Sequence, residues 1–133
     1  MAEGPARPAR PAPGRLTKRA EFKAAASGRR FHTERMTVQG RLRDDERGLR
    51  VGLTVTRKVG HATERNRIRR RLRQAVRDAA QGRLDADADI VVIGRRDILG
   101  ADYHMLVADL ERALAVVTKP RPARSESGPP GRA

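Results

Sequence analysis

The chain has 133 residues, of which 38% are hydrophobic and only 2% aromatic, so one small aliphatic core with tails is expected. Thirty Lys and Arg against sixteen Asp and Glu give a formal net charge of +14, which favours a polyanionic partner. The absence of cysteine excludes a disulfide framework and Cys-ligated zinc or iron–sulfur sites, and it fits a cytoplasmic protein.

Both ends of the chain have the composition of disordered tails. Residues 1–14 are basic and rich in Pro, and residues 119–133 are rich in Pro, Gly, Ser and Arg, so neither can bury much apolar surface. Residues 15–118 are therefore the predicted folded domain. Residues 1–15 lack the apolar run of a secretory signal, and nothing later is long enough to span a bilayer, so a soluble protein is expected.

The first predicted element is a short helix. Thr17 is a suitable N-cap, and Phe22, Ala25 and Ala26 fall on one side of the following segment. Ser27-Gly28 is a typical helix end.

Two alternating segments follow, residues 36–42 and 49–55, separated by a polar turn. This pattern predicts a β-hairpin with one buried face. The other face of the second strand is polar and available to a ligand. It carries Arg50, Gly52, Thr54 and Thr56.

A basic turn at residues 57–60 leads into a long predicted helix over residues 63–80, with Thr63 as N-cap and Gly82 as its end. The apolar run at residues 90–93 predicts a strand buried on both faces, at the centre of the sheet. Apolar residues at steps of three and four over residues 103–117 predict a last amphipathic helix on that sheet.

The long helix has two chemically different faces. A period of 3.6 residues places an apolar group on the core side, namely Ile68, Leu72, Ala75, Val76 and Ala79. The opposite side is here called the arginine ridge, which comprises Asn66, Arg69, Arg70, Arg73 and Arg77, with Arg67 and Arg71 flanking it.

An ordinary solvated helix face mixes acids with bases, whereas Asp78 is the only acid near the arginine ridge. Like charges at i,i+4 cost roughly 0.2 to 0.5 kcal/mol per pair, so the ridge favours an anionic ligand. Guanidinium groups bind phosphate bidentately, and the helix N-terminus beside Arg65 adds amide donors. Binding to an anionic membrane is the weaker alternative, because the core needs the apolar face.

Residues 53–73, which read LTVTRKVGHATERNRIRRRLR, resemble the signature of the bacterial ribonuclease P protein subunit, with Arg65-Asn66-Arg67 as its hallmark. The resemblance extends from about residue 15 to residue 117. It implies an α+β fold, a single-domain α-β sandwich of order α-β-β-β-α-β-α, similar to domain 2 of ribosomal protein S5. A central, mostly antiparallel sheet, a left-handed β-α-β crossover and an extra strand near residues 30–33 are also implied.

The resemblance implies an accessory subunit of an endoribonuclease that removes the 5′ leader from precursor tRNA. The RNA subunit would carry catalysis and hold Mg²⁺, and the protein would have no catalytic residue and no metal site of its own. Its implied partners are the ribonuclease P RNA and precursor tRNA, without membrane or DNA. The expected RNA-binding residues are Arg57, Lys58, Arg65, Asn66, Arg67, Arg69, Arg70 and Arg73, joined by Arg77 of the arginine ridge.

The family also holds the single-stranded leader in a cleft between the first helix and the sheet. Phe22 stands where an aromatic of that cleft is expected, and a plain core role for Phe22 is the alternative. Ala26 and Gln39 replace two further aromatics of the family pattern, so the predicted leader cleft consists of Phe22 and Gln39.

Other candidate sites are weaker. His32, His61 and His104 are far apart, and none is paired as a catalytic base, although His61 is a candidate RNA-contacting loop residue. The acids at positions 85, 87 and 89 lack the glycine and distal Glu of a calcium loop and are read as a solvated turn.

Two other classes of function share this composition. A structural RNA-binding protein of ribosomal type has the same charge, size and paucity of aromatics. A DNA compactor ranks last, because the long helix is followed by a strand and not by a recognition helix.

Overall fold

The computed structural model describes residues 12–43 and 45–118, and the predicted tails fall outside this part except for residues 12–14. The strands and helices, in chain order, are β1 (Gly14–Arg15), α1 (Arg19–Ala26), β2 (Arg29–His32), β3 (Met36–Leu42), β4 (Arg50–Thr54), α2 (Ala62–Ala79), β5 (Ala88–Gly94) and α3 (Tyr103–Val117). Short 3-10 turns precede α2 (Arg57–Val59) and α3 (Arg96–Gly100).

The five strands form one sheet in the order β1-β4-β5-β3-β2. β4 pairs in parallel with both β1 and β5, whereas β3 pairs antiparallel with both β5 and β2. The α+β class is confirmed, and the sheet is mixed, with two antiparallel and two parallel strand pairs. The predicted left-handed sense of the crossover through α2 stays a prediction.

The predicted hairpin between β3 and β4 is wrong, because β5 lies between these two strands. The connecting segment passes around the start of β5. The Arg43 amide donates to the Asp87 carbonyl at 2.7 Å, and the Leu49 amide donates to the Leu84 carbonyl at 3.0 Å. The alternation of apolar residues predicts which face of a strand is buried, but it does not predict which strand lies beside it. β5 is apolar on both faces and therefore lies inside the sheet, with a neighbouring strand at each edge.

Two short strands complete the sheet. The strand that the family resemblance implied near residues 30–33 is present as β2. β1 was not predicted. It precedes α1 and so adds a strand before the first predicted element. The Gly14 amide donates to the Leu49 carbonyl at 2.9 Å, and the Leu16 amide donates to the Val51 carbonyl at 3.1 Å. Two residues are too few for a periodic pattern, so only the tertiary structure defines this strand.

Both basic helices begin at residues other than the predicted caps. Lys18, not Thr17, is the N-cap of α1, and the Glu21 carboxylate accepts the amides of Thr17 and Lys18 at 3.1 and 3.0 Å. His61, not Thr63, is the N-cap of α2. In each case a Glu three residues after the cap accepts the cap's backbone amide, which favours that start over the neighbouring threonine.

The sheet is covered on both faces. α2 and α3 pack on one face over a core that includes Met36, Val38, Ile90 and Val92. α1 packs on the other face, over a smaller cluster of Leu16, Ala25 and Val91 that is flanked by Phe22 and Ile93. β5 is thus buried at the centre, as predicted. No helix among the described residues is both long and apolar enough to cross a membrane.

Candidate nucleic-acid interface

The two predicted faces of α2 are present in the structure. Ile68, Leu72, Ala75, Val76 and Ala79 are all buried, and they are the only buried residues of this helix. On the outer sides, Asn66, Arg67, Arg70 and Arg73 are exposed, and Arg65, Arg69 and Arg77 are partly exposed. A local period of 3.6 residues was enough to define this division.

The charge of the outer side is not neutralised by the described part of the protein. Within residues 12–43 and 45–118, no acidic side chain pairs with Arg65, Arg67, Arg69, Arg70, Arg73 or Arg77. Arg69 donates to the Asn66 side-chain oxygen at 3.3 Å. Asp78, the nearest acid, accepts a hydrogen bond from the Tyr103 hydroxyl. These guanidinium groups therefore have most of their donors available for an anion.

Arg71 differs from its neighbours on α2. Its guanidinium donates to the carbonyls of Ile98, Leu99 and Ala101 at 2.6, 3.3 and 2.7 Å. These carbonyls belong to the turn that leads into α3. Arg71 therefore joins α2 to this turn, and its donors are occupied within the protein.

A charged clamp positions the start of α2. Arg96, just after β5, donates to Glu64 Oε1 at 3.0 Å, to Glu64 Oε2 at 2.8 Å and to the Val59 carbonyl at 2.9 Å. Glu64 Oε1 also accepts the His61 amide at 2.9 Å. The hydrogen bonds from Arg96 and from the His61 amide hold the pKa of Glu64 at about 2. This clamp was not predicted from the sequence, although an acid three residues after a helix N-cap is a capping signal.

The clamp also holds the basic turn that precedes α2. Arg57 and Lys58 are exposed in this turn, and Val59 of the same turn is bonded to Arg96. Gly60 passes so close to the clamp that an added Cβ would lie 2.7 Å from Arg96 Nη1 and still closer to Glu64 Oε1. The predicted RNA-binding residues of the turn and of the first turns of α2 are thus held next to each other at the start of the helix, and Arg73 and Arg77 continue this basic surface farther along it.

The predicted leader residues lie on the opposite face of the sheet. Gly52 is in register with Val91, and Val91 is in register with Gln39, so these residues form one row across β4, β5 and β3. A Cβ on Gly52 would lie 2.5 Å from the Phe22 ring, which therefore sits over Gly52. Strands are about 4.8 Å apart, so Phe22 and Gln39 occupy positions about 10 Å apart on this row.

Phe22 and Gln39 are less exposed than residues that line an open cleft. Phe22 is half-buried, with Gly52 and Leu16 against its ring, so it is both a packing residue and a surface residue. Gln39 is only 8% exposed. On the strand face that was predicted to be polar and available to a ligand, Gly52 lies under Phe22, and Arg50 pairs with Glu21 at 3.1 Å and with Asp89 at 2.9 Å.

Sequence reasoning missed a polar cluster at the open end of this face. Arg95 donates to the Thr37 hydroxyl at 2.9 Å and to the Thr33 carbonyl at 3.1 Å, and it lies 3.1 Å from His32 Nε2. His32 Nδ1 is in turn 2.8 Å from the Thr37 hydroxyl. The sequence feature that could have indicated this cluster is the pair Arg95-Arg96 directly after the buried strand β5.

The interpretation of the acidic triplet as a solvated turn is wrong for two of its three members. The carboxylate of Asp87 accepts the Gly48 amide at 2.8 Å and also the Glu46 amide. Asp89 is 1% exposed, with Arg43 and Arg50 each 2.9 Å from Oδ1. Only Asp85 is exposed. The carboxylates of Asp87 and Asp89 are thus occupied by protein donors and do not fit a cation.

Comparison with known proteins identifies the family. The sequence profile of the family described as Ribonuclease P matches residues 11–118, which is most of the chain and all three helices. The chain belongs to the ribonuclease P protein family.

Curated relatives agree with this assignment. The ribonuclease P protein component of Gluconacetobacter diazotrophicus is 46% identical over 101 residues, covering 75% of this chain and 87% of the relative. The protein of the same name from Bartonella quintana is 37% identical over 113 residues, covering 80% and 85%.

Solved ribonuclease P proteins have the same fold. The Staphylococcus aureus protein aligns with a TM-score of 0.63 at 26% identity, covering 77% of this chain and 93% of its own. The Thermotoga maritima protein aligns with a TM-score of 0.62 at 27% identity, covering 81% and 98%.

The chain is therefore a protein subunit of ribonuclease P with a role in tRNA processing, and its partner is the ribonuclease P RNA. The alternative of a ribosomal-type RNA-binding protein had only composition in its favour. Residues 53–73, which carry the resemblance to this family, include the arginines of α2 from Arg65 to Arg73. Their individual contacts with RNA stay predictions.

Proposed function

We propose that this ribonuclease P protein assists its RNA subunit in removing the 5′ leader from precursor tRNA, with the RNA carrying catalysis. The basic surface around α2 binds the RNA subunit, and the α1 face of the sheet receives the leader. The observation that carries the proposal is the row of α2 arginines without an ion pair in the described residues.

Binding of phosphates by α2 is supported by its charge and by the lack of ion pairs to its arginines in the described residues. Arginines without protein partners lose no hydrogen bond when they bind a phosphate, and each can fork onto two oxygens. Arg57 and Lys58 extend the same basic surface beyond the start of the helix. The clamp between Glu64 and Arg96 keeps the turn and the helix in one arrangement.

A leader site on the α1 face is supported by different residues. Phe22 presents part of its ring beside α1, and stacking on an aromatic contributes roughly 1 to 3 kcal/mol per base. Thr37, His32 and Arg95 add polar groups at the open end of this face. The buried Gln39 contributes at most the edge of its amide.

Mg²⁺ ions are assigned to the RNA in this proposal. Among residues 12–43 and 45–118, no three His or acidic side chains converge on one point. Asp87 and Asp89, the acids that the sequence placed together, are bonded to amides and arginines. RNA phosphates supply oxygen ligands of the kind that Mg²⁺ prefers.

Reconstitution tests the accessory role. The RNA subunit should cleave precursor tRNA at low Mg²⁺ concentration faster with the protein than without it, and the protein alone should not cleave. An unchanged rate upon addition of the protein, or cleavage by the protein alone, would overturn the proposal.

Precursor tRNA, which has a leader, and mature tRNA, which has none, together test the proposed leader site on the α1 face of the sheet. Phe22→Leu keeps most of the packing volume but removes the ring, so it should weaken binding of leader-bearing precursor only. Phe31, on the α3 side of the sheet, provides the matched control Phe31→Leu. Equal effects of the two variants, or equal losses with mature tRNA, would contradict a leader contact at Phe22.

A further inference from the structure

Helix α1 buries fewer residues than either of the other two helices. It is eight residues long, and Ala25 is its only buried residue. The apolar cluster beneath it is small, with Leu16 and Val91 buried beside Ala25. A helix of this length is not stable alone, so its contacts with the sheet determine where α1 lies.

Two further contacts hold the ends of α1. Just after the helix, Gly28 passes so close to β3 that an added Cβ would collide with the Gly40 carbonyl oxygen. In the first turn, Glu21 Oε1 accepts two backbone amides at the start of the helix. Glu21 Oε2 accepts a hydrogen bond from Arg50 Nη1 of β4 at 3.1 Å. One carboxylate therefore both caps α1 and fastens it to the sheet.

The guanidinium of Arg50 is itself fixed by a buried acid. Its Nε and Nη2 donate to the two carboxylate oxygens of Asp89 at 2.9 and 3.1 Å, and Asp89 is 1% exposed. Arg50 and Asp89 are in register on β4 and β5. With Nε and Nη2 engaged, Nη1 is the nitrogen that remains, and it meets Glu21. The position of Glu21 is thus set from the centre of the sheet.

This anchor lies next to the aromatic ring of the proposed leader site. Phe22 directly follows Glu21 in α1, and its ring sits over Gly52. Gly52 comes two residues after Arg50, so both are on the same face of β4. Movement of the first turn of α1 relative to β4 would therefore displace the ring from Gly52.

The hydrogen bonds of Arg50 distinguish it from the arginines on the outer side of α2. All three nitrogens of its guanidinium are engaged by carboxylates of the protein. A phosphate would have to displace one of these carboxylates to bind Arg50. This residue is therefore suited to hold α1 in place and not to bind RNA.

We propose that Arg50 is a positioning residue for the leader of precursor tRNA. It acts through Glu21 on the placement of α1, and so on the Phe22 ring, without touching RNA. This inference rests on the proposed leader site on the α1 face. Its effect is confined to substrates that carry a leader, because α2 packs on the other face of the sheet.

Two conservative changes test the anchor. Arg50→Ala would also leave the buried Asp89 with one partner fewer, so milder variants are preferable. Glu21→Gln keeps Oε1 as the acceptor for the helix cap but presents to Arg50 an amide nitrogen, which cannot accept a hydrogen bond. Arg50→Lys keeps a positive charge beside Asp89, but a single ammonium does not reproduce the fork that engages two carboxylates.

In the reconstituted holoenzyme, each of the two variants should bind leader-bearing precursor roughly 3-fold to 10-fold more weakly, which is part of the contribution of one stacked base. Affinity for mature tRNA and for the RNA subunit should not change. Glu111→Gln, at an exposed position of α3, is the control for loss of a carboxylate and should match the wild type. Unchanged binding of precursor by either variant, or equal losses for precursor and mature tRNA, would overturn the proposal.

A double variant separates a shared anchor from two unrelated effects. If Glu21 and Arg50 act through one ion pair, the variant with both changes should lose no more affinity for precursor than the weaker-binding of the two single variants. Losses that add would show that the two residues act independently and would count against the anchor.

Fluorine NMR of the free protein measures the displacement itself. The chain contains two phenylalanines, so labelling with 4-fluorophenylalanine gives one resonance for Phe22 and one for Phe31. Glu21→Gln should shift the Phe22 resonance, whereas that of Phe31, which packs against the core on the other face, should keep its position. A stationary Phe22 resonance, or equal shifts of both, would contradict the anchor.

Failure of the leader site and failure of the anchor give different results. If Phe22→Leu does not weaken binding of precursor selectively, the proposed leader site fails, and the role of Arg50 falls with it. If Phe22→Leu has its expected effect but Glu21→Gln and Arg50→Lys do not, only the positioning role fails.

Discussion

Arg96 and Glu64, 32 residues apart in sequence, form a two-pronged ion pair with N–O distances of 3.0 and 2.8 Å. This pair connects the end of the central strand β5 to the first turn of α2. Through the Val59 carbonyl it also fixes the basic turn before the helix. The proposed RNA-binding surface is therefore held in place in part by a pair of side chains that lies beside it.

The ion pair predicts a specific dependence of stability on pH. The pKa of Glu64 is lowered from 4.5 to about 2, so its ionised form is favoured in the folded state. Its contribution to the free energy of unfolding is fully present above pH 4.5 and is lost as the pH falls towards 2. In urea unfolding at several pH values, the difference between wild type and Glu64→Gln should shrink across this window. Glu111→Gln, at an exposed position of α3, is the control, and a difference independent of pH would contradict the prediction.

Gly60→Ala should break the same clamp by a steric route. The added Cβ would collide with Glu64 Oε1 and Arg96 Nη1, so these groups must separate. We expect a lower Tm and weaker binding of the RNA subunit, because the basic turn loses its fixed position. Gly82 has no atom within 4 Å of an added Cβ, so Gly82→Ala is the matched control. Similar Tm values for the two variants would show that the close approach at Gly60 is unimportant.

The double variant Arg69→Ala, Arg73→Ala should weaken binding of the RNA subunit and reduce its salt dependence. Each lost phosphate contact makes the negative slope of log K against log salt concentration less steep by roughly 0.7 to 0.9. Affinities measured over a range of salt concentrations give this slope directly. Arg47, whose side chain is 68% exposed, lies outside the basic surface of α2, so Arg47→Ala should leave the slope nearly unchanged. A slope equal to that of the wild type would argue against phosphate contacts at Arg69 and Arg73.

Arg70 and Arg71 are adjacent but should behave in opposite ways. Arg71→Ala removes three hydrogen bonds to carbonyls and should lower the free energy of unfolding by roughly 1.5 to 3 kcal/mol. Arg70 is exposed, so Arg70→Ala should change stability by less than about 0.5 kcal/mol and should instead weaken RNA binding. Denaturant unfolding of the free protein distinguishes the two. Equal stabilities would mean that the bonds of Arg71 contribute little in solution.

Asp89→Asn should be among the most destabilising single changes in the domain. Asp89 is buried and faces the guanidinium groups of Arg43 and Arg50, so loss of its charge removes the buried counter-charge that these two arginines share and leaves them only the more exposed Asp45 and Glu21. Breaking a buried ion pair from one side costs roughly 3 to 5 kcal/mol. Asp85→Asn, in the exposed part of the same acidic triplet, should have little effect. The free energies of unfolding of both variants would test this contrast, and similar values would contradict it.

The sequence by itself determined the features that depend on local periodicity. The division of α2 into a buried and an arginine-rich side follows from a repeat of 3.6 residues, and the central position of β5 follows from its continuous apolar run. The family was also recognisable, because its signature occupies one unbroken segment around Arg65-Asn66-Arg67.

Only the tertiary structure decided which groups meet across long distances in the chain. Periodicity gave β3 and β4 the correct buried faces but could not specify that β5 would separate them. Arg67 and Arg71 both flank the arginine ridge in the sequence pattern, yet Arg71 bonds to the carbonyls of the turn before α3 whereas Arg67 is exposed. Likewise, Asp85 and Asp89 differ only because β5 carries Asp89 between Arg43 and Arg50. Hydrogen bonds and ion pairs act over a few ångströms, so their partners are fixed only when the whole chain has folded.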